Sequence, residues 1–184
     1  MTKRKKHAKR GRPRIKGCIR EPNGRISRAK MPHDPIDKLA IEMRAKRFGL
    51  TIEEAKNPLS GTYIGRLCLF GYKQDALGIT QEQYNTTQKY LQVRNDYLCA
   101  KALPSAIYDK MPSSSDEEAR EKWIQFATKQ FFDMQEAIKE TQHFYRQHNF
   151  YAALQYIVIE DQELPYLVPS LRIILNALRK YFNY

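Results

Sequence analysis

Cysteine is scarce in this chain, and the three that occur, Cys18, Cys68 and Cys99, lie far apart. That excludes a disulfide framework. No pair has the spacing of a zinc finger or ribbon, so buried, reduced thiols are the expectation. Glycine and proline number eight and nine with no Gly-X-Y period, which excludes collagen-like and low-complexity classes. No apolar run approaches the roughly 18 residues of a membrane span. The N-terminus is charged but lacks the apolar stretch of a secretory signal, so the chain is expected to stay inside a cell and off membranes. The length of 184 residues suits one domain, or one domain plus a tail. Hydrophobic residues at 42% and aromatics at 11% suffice for a buried core, which excludes disorder over the full length.

Two kinds of residue are missing from one end. Residues 1–30 contain a single acid, Glu21, and no aromatic residue, yet they hold 13 of the chain's 32 Lys+Arg. The remaining 19 basic residues face 19 acidic ones in residues 31–184, so the net charge of +12 is carried by the first 30 residues. The sequence thus divides into a basic arm, 1–30, and an electrically neutral body, 31–184. An arm of this composition repels itself, has nothing to bury, and is expected to be disordered until it meets a polyanion.

Within the arm stands Lys9-Arg10-Gly11-Arg12-Pro13-Arg14. A narrow A·T-rich minor groove concentrates negative potential and attracts guanidinium groups. Gly11 lets the backbone lie against the groove floor, and Pro13 holds the segment extended, which lowers the ordering cost of binding. Arg10 and Arg12 can then reach the adenine N3 and thymine O2 acceptors, where guanine would interpose its amino group. Arg14, Lys3, Arg4, Lys5, Lys6, Lys9 and Lys16 are placed to contact phosphates without reading sequence. The Arg-Gly-Arg-Pro-Arg core resembles the AT-hook, a short minor-groove DNA-binding motif; the resemblance covers about six residues and implies A·T-rich duplex as the partner. A generic polycation that binds any nucleic acid, and a nuclear import signal in the Lys-Arg clusters, are the other readings of the same residues.

Further along, Pro22-Asn23-Gly24 is a turn signal that sets Arg20 on one limb and Arg25 and Arg28 on the other. These three are either a second grip on the phosphate backbone or part of a plain hinge.

The body reads as all-α, a helical bundle with long antiparallel helices. Asp34-Pro35 opens a first helix, with Ile36, Leu39, Ala40 and Met43 at helical spacing and Gly49 at its end. Thr51 to Glu54 is a capping box, and Asn57 to Gly61 a loop. Ser60 to Phe70 is a helix stopping at Gly71. Thr80 and Gln83 cap a helix running to about Ala102, with Tyr84, Leu91 and Leu98 and the pair Tyr90 and Tyr97 as contact stripes; base stacking is a second use for the tyrosines. Residues 103–115 are a linker and a possible boundary inside the body. A long helix spans about Ser115 to His148, with Trp123, Ala127, Phe131, Met134, Ile138, Thr141 and Tyr145 as one stripe, widened by Phe126 and Phe132. It suits an antiparallel partner or a seam between subunits. Phe150 to Asp161 is a helix, with a short strand at Tyr156 to Ile159 as the alternative. The last helix starts at Pro169; with few long polar side chains it fits packing better than groove reading in a helix-turn-helix.

Catalysis lacks support. There is no phosphate-cradling glycine loop and no serine nucleophile motif. His143 and His148, on one helix, would sit about 140° apart and share no face. Glu160, Asp161 and Glu163 form an acidic cluster, expected to be a solvated loop rather than a cation site. No cofactor or metal is called for. The expectation is a non-enzymatic double-stranded DNA-binding protein, cytoplasmic and nucleoid-associated, or nuclear in a eukaryote, whose body contacts a partner or self-associates. In size, charge and helix layout the chain also resembles small helical phage and prophage DNA-binding proteins such as small terminase subunits, which implies a homo-oligomeric DNA-packaging role. An RNA-binding protein with a basic tail is the third reading.

Overall fold

A computed structural model describes residues 16–28, 35–73, 78–103, 106–107 and 117–182. The fold is all-α, and no strand is present among these residues. Contacts group Met1–Ala40 and Ile41–Tyr184 as two compact units; the charged arm is contained in the first.

In the first unit, residues 19–27 form a turn. The chain doubles back there, with Glu21 N donating to Arg25 O and Ser27 N to Ile19 O, both at 2.8 Å. Gly24, at φ +82°, supplies the left-handed residue that closes the turn after Pro22 and Asn23.

Helix α1, Lys38–Phe48, starts later than Pro35, with Lys38 N bonded to Pro35 O at 3.0 Å. Gly49 (φ +63°) ends it as expected. Its inward residue is Ala45, which packs with Leu50 and Ala55 of the following turn, flanked by Ile41 and Phe48. Ile36, Leu39 and Met43, the residues that signalled the helix, stay exposed. Helix α2, Ile52–Lys56, carries both halves of the Thr51–Glu54 capping box. Asn57 to Gly61 is not an open loop: Pro58–Gly61 is a 3₁₀ turn capped by Asn57.

Helix α3, Tyr63–Lys73, runs through Gly71 rather than stopping at it. The reason is steric. A Cβ on Gly71 would stand 2.3 Å from Ile79 O, and one on Gly78 2.1 Å from Gly71 N, so the two glycines let the returning chain cross the helix. The Ile79 amide uses that approach to bond Leu67 O at 3.1 Å.

Helix α4, Gln81–Ala100, has the expected Thr80–Gln83 capping box. Its most buried line is Gln83, Thr86, Thr87, Tyr90, Val93 and Cys99, while Tyr84, Leu91 and Leu98 are half-buried. The two buried threonines satisfy their hydroxyls on carbonyls one turn back, at Glu82 and Gln83.

Helix α5 spans Glu117–Phe144, four residues short of His148. Of its stripe, Ala127, Met134 and Ile138 are buried; Phe126 and Phe132 are exposed. Tyr97 of α4 stacks on Phe131, with ring centroids 4.0 Å apart and planes 8° apart, and Tyr90 and Ile138 line one groove. The two helices lie in one compact unit, and most of the stretch 103–115 between them lies outside the described residues. Its described part is tied to α4: Asn95 exchanges two 2.8 Å bonds with the Ile107 backbone.

After Asn149 caps α6, Phe150–Ala152, the helix widens into a π-helical segment, Ala153–Ile159; neither an α-helix to Asp161 nor a strand forms. A 3₁₀ turn, Pro165–Leu167, leads into α7, Val168–Tyr181. Leu171, Ile174, Leu175 and Leu178 of α7 are fully buried. At roughly 1.5–3 kcal/mol for each such side chain, these four residues contribute substantially to core stability. The helix packs against α4, α5 and the π segment, which is the packing role its composition implied.

Candidate functional site

Ten of the arm's candidate residues, Lys3, Arg4, Lys5, Lys6, Lys9, Arg10, Gly11, Arg12, Pro13 and Arg14, lie outside the described residues. Lys16, Arg20, Arg25 and Arg28 lie within them. The turn at residues 19–27 places Arg20 opposite Ile26, on the limb facing that of Arg25 and Arg28. Lys16, Arg25 and Arg28 are exposed. Arg20 folds over its own turn and donates from Nη1 to Gly24 O at 2.8 Å, so part of its hydrogen-bonding capacity stiffens the hairpin. Asn23 Oδ1 accepts from Arg25 N at 3.0 Å and orders the return limb. The result is a short scaffold with basic side chains on both limbs. The thiol of Cys18 is exposed beside it, contrary to the expectation of burial, while Cys68 and Cys99 are buried.

The acidic cluster at 160–163 does structural work. Asp161 Oδ1 accepts from Tyr63 N at 2.6 Å and so caps α3. Glu163 pairs with the buried guanidinium of Arg66, which also donates to Ser60 O. These carboxylates are spoken for by α3 rather than merely solvated. Among the described residues no group of three or more His, Cys, Asp or Glu is placed to hold a metal ion. His143 and His148 do not share a helix, since α5 ends at Phe144. His148 stacks on Phe150 and sets Nδ1 2.9 Å from Ser170 Oγ.

A second feature had no signal in the sequence. Helices α4 and α5 and the segment 149–159 enclose an open groove of about 500 Å3. Tyr90, Tyr151, Tyr156 and Phe131 supply its rings, Gln135, Asn149 and Gln155 its amides, and Arg94 a positive charge. Burial pushes the Tyr90 phenol above its ordinary value, a nearby Arg94 opposing the shift and Tyr151 adding to it. Tyr90 therefore stays a neutral hydroxyl donor. Of the three tyrosines considered for base stacking, Tyr84 is partly buried against the core, Tyr97 stacks on Phe131, and the buried Tyr90 lines this groove. The three segments that line it are separated in the chain and carry no common motif.

No helix among the described residues is long and apolar enough to cross a membrane. Comparison of the chain with family models, with curated proteins and with solved structures gave no match.

Proposed function

We propose that the protein binds double-stranded DNA through its basic arm, without catalysing a reaction. The observation that carries this reading is the segregation of charge: the whole net charge of +12 resides in 30 residues that contain no aromatic side chain. Capture begins electrostatically, as Lys and Arg displace counterions from the phosphates. The segment Arg10-Gly11-Arg12-Pro13 then settles into an A·T-rich minor groove, with Arg10 and Arg12 at the groove floor. Lys3, Arg4, Lys5, Lys6, Lys9, Arg14 and Lys16 bind phosphates. The hairpin that carries Arg20, Arg25 and Arg28 gives a second, pre-ordered contact with the backbone. The neutral body supplies partner contact or self-association, and several arms on one assembly gain affinity through effective concentration. Regulation, chromosome organisation and packaging are all served by such a device.

The test is duplex binding over a salt series. Neutralising about 10 phosphates gives a slope near −9 for log affinity against log salt. The double variant Arg10→Ala/Arg12→Ala is expected to lose its preference for A·T-rich over G·C-rich duplex, and a minor-groove ligand such as netropsin to displace the wild type. Equal binding to both duplexes and to structured RNA at the same salt would reduce the arm to a generic polycation.

A further inference from the structure

We propose that the groove between α4, α5 and the π-helical segment is a binding site for a mononucleotide-class ligand, a planar heterocycle carrying a phosphate. The first observation is an unmatched charge. Arg66 and Arg179 are paired with Glu163 and Glu82, and Arg44 donates to the Ala55 carbonyl at 2.8 Å. Arg94 is half-buried, lines the groove, and makes no ion pair among the described residues. Among the described residues no carboxylate lines the groove, Glu160 lying behind Gln155. A guanidinium held this way presents a planar donor fork to an incoming anion, and phosphate and carboxylate are the groups it fits.

The second observation is what surrounds that charge. Gln135 offers donor and acceptor together, the pattern that reads the edge of a heterocyclic base; Gln155 donates from Nε2 to Glu160 Oε1 at 2.7 Å and keeps its side-chain carbonyl oxygen as an acceptor, and the rings of Tyr151 and Tyr156 line the same groove for stacking. A volume of about 500 Å3 lies in the range of small-ligand sites. The third observation is the backbone. The segment 153–159 adopts the rare π form, closing with Glu160 N on Gln155 O at 3.0 Å, and the wide turn carries Leu154, Gln155, Tyr156 and Ile159 onto the groove wall. Such segments give up favourable α-helical bonding and recur at functional sites. The site lies in the body, so it stands independently of the arm's affinity for duplex.

The test titrates the full chain with adenosine, guanosine, cytidine and uridine monophosphates, with inorganic phosphate, and with benzoate, following tyrosine fluorescence and ligand saturation-transfer signals. At least one nucleotide is expected to bind saturably, and Arg94→Gln to weaken it by about tenfold or more, as loss of a charge-assisted bidentate contact implies. Tyr156→Ala, at a half-exposed ring, is expected to weaken the same nucleotide while leaving the thermal melt unchanged. The arm is identical in wild type and variants, so the difference belongs to the groove. If Arg94→Gln does not fold, Arg94→Lys keeps the charge but not the fork and is expected to lose affinity in the same direction. The proposal is overturned if no nucleotide binds saturably, if benzoate binds more tightly than every nucleotide, or if these variants bind as the wild type does. A failure of Arg10→Ala/Arg12→Ala to alter duplex binding would count against the arm alone.

Discussion

The guanidinium carbon of Arg66 lies 3.6 Å from the centroid of the Phe48 ring, so a buried cation is seated on an aromatic face at the end of α1. Arg66 is only 5% exposed, and it also meets the Ser60 carbonyl, the Glu163 carboxylate and, at 5.8 Å, the Tyr63 ring. One side chain thereby joins α1, the 3₁₀ turn, α3 and the segment before α7.

Replacing Arg66 tests that junction. Arg66→Met keeps volume but removes the cation–ring attraction and the charged hydrogen bonds, and is expected to cost about 2–3 kcal/mol. Glu163→Gln is expected to cost less than about 1 kcal/mol, because the Glu163 side chain is 53% exposed and water screens the pair. Urea unfolding of both variants measures the two losses. A larger loss for Glu163→Gln than for Arg66→Met would show that the carboxylate, not the ring, holds the arginine.

The crossing of α3 by residues 78 and 79 is a backbone-to-backbone contact with no soft neighbour to yield. Gly78→Ala is expected to destabilise by at least about 3 kcal/mol, the upper end of what overpacking costs. Gly61→Ala, where an added Cβ meets nothing within 4 Å, is the matched control and is expected to change stability by less than about 0.5 kcal/mol. Thermal or urea midpoints of the pair decide it.

Stability is expected to fall in alkali. Burial raises the folded-state pKa of the Cys68 thiol above its ordinary 9.0, and burial likewise raises the phenols of Tyr63, Tyr84, Tyr90 and Tyr181 above 10.0. Each group keeps its proton longer folded than unfolded. Its contribution is therefore complete below the ordinary value and is lost as pH rises through the folded one. Tyr90→Phe removes the most buried of these phenols, so its urea midpoint is expected to fall less steeply than the wild type's above pH 10. An identical alkaline slope in both proteins would contradict the assignment.

The stacked rings of Tyr97 and Phe131 should be coupled. A double-mutant cycle with Tyr97→Ala and Phe131→Ala is expected to return an interaction energy of about 0.5–1.5 kcal/mol, beyond the two single losses. Strict additivity would mean that the rings are neighbours without mutual attraction.

Thiol access gives a cheaper check of burial. In the native protein an alkylating reagent is expected to label Cys18 and to spare Cys68 and Cys99 until denaturant is added. Rapid native labelling of Cys99 would show that its bond to the Ile107 carbonyl opens readily.

What the sequence determined by itself is whatever depends on neighbours in the chain. The capping boxes at Thr51 and Thr80, the turn at Pro22-Asn23-Gly24, the helix end at Gly49 and the apolar character of α7 are all local, because each involves residues within a few positions. The division of charge between arm and body is local in the same sense. Tertiary structure alone decided which apolar faces are covered: Ile36 and Met43 signal a helix, yet among the described residues they stay exposed while Ala45 is buried. It also decided that Gly71 is a crossing point rather than a stop, since nothing near Gly71 in sequence announces Gly78 and Ile79 above it. The acidic run at 160–163 reads as solvated until α3 is brought against it, some hundred residues removed in the chain. The groove around Arg94 has the same origin. Its walls come from three segments that only packing brings together, and long-range proximity leaves no periodic trace in any one of them.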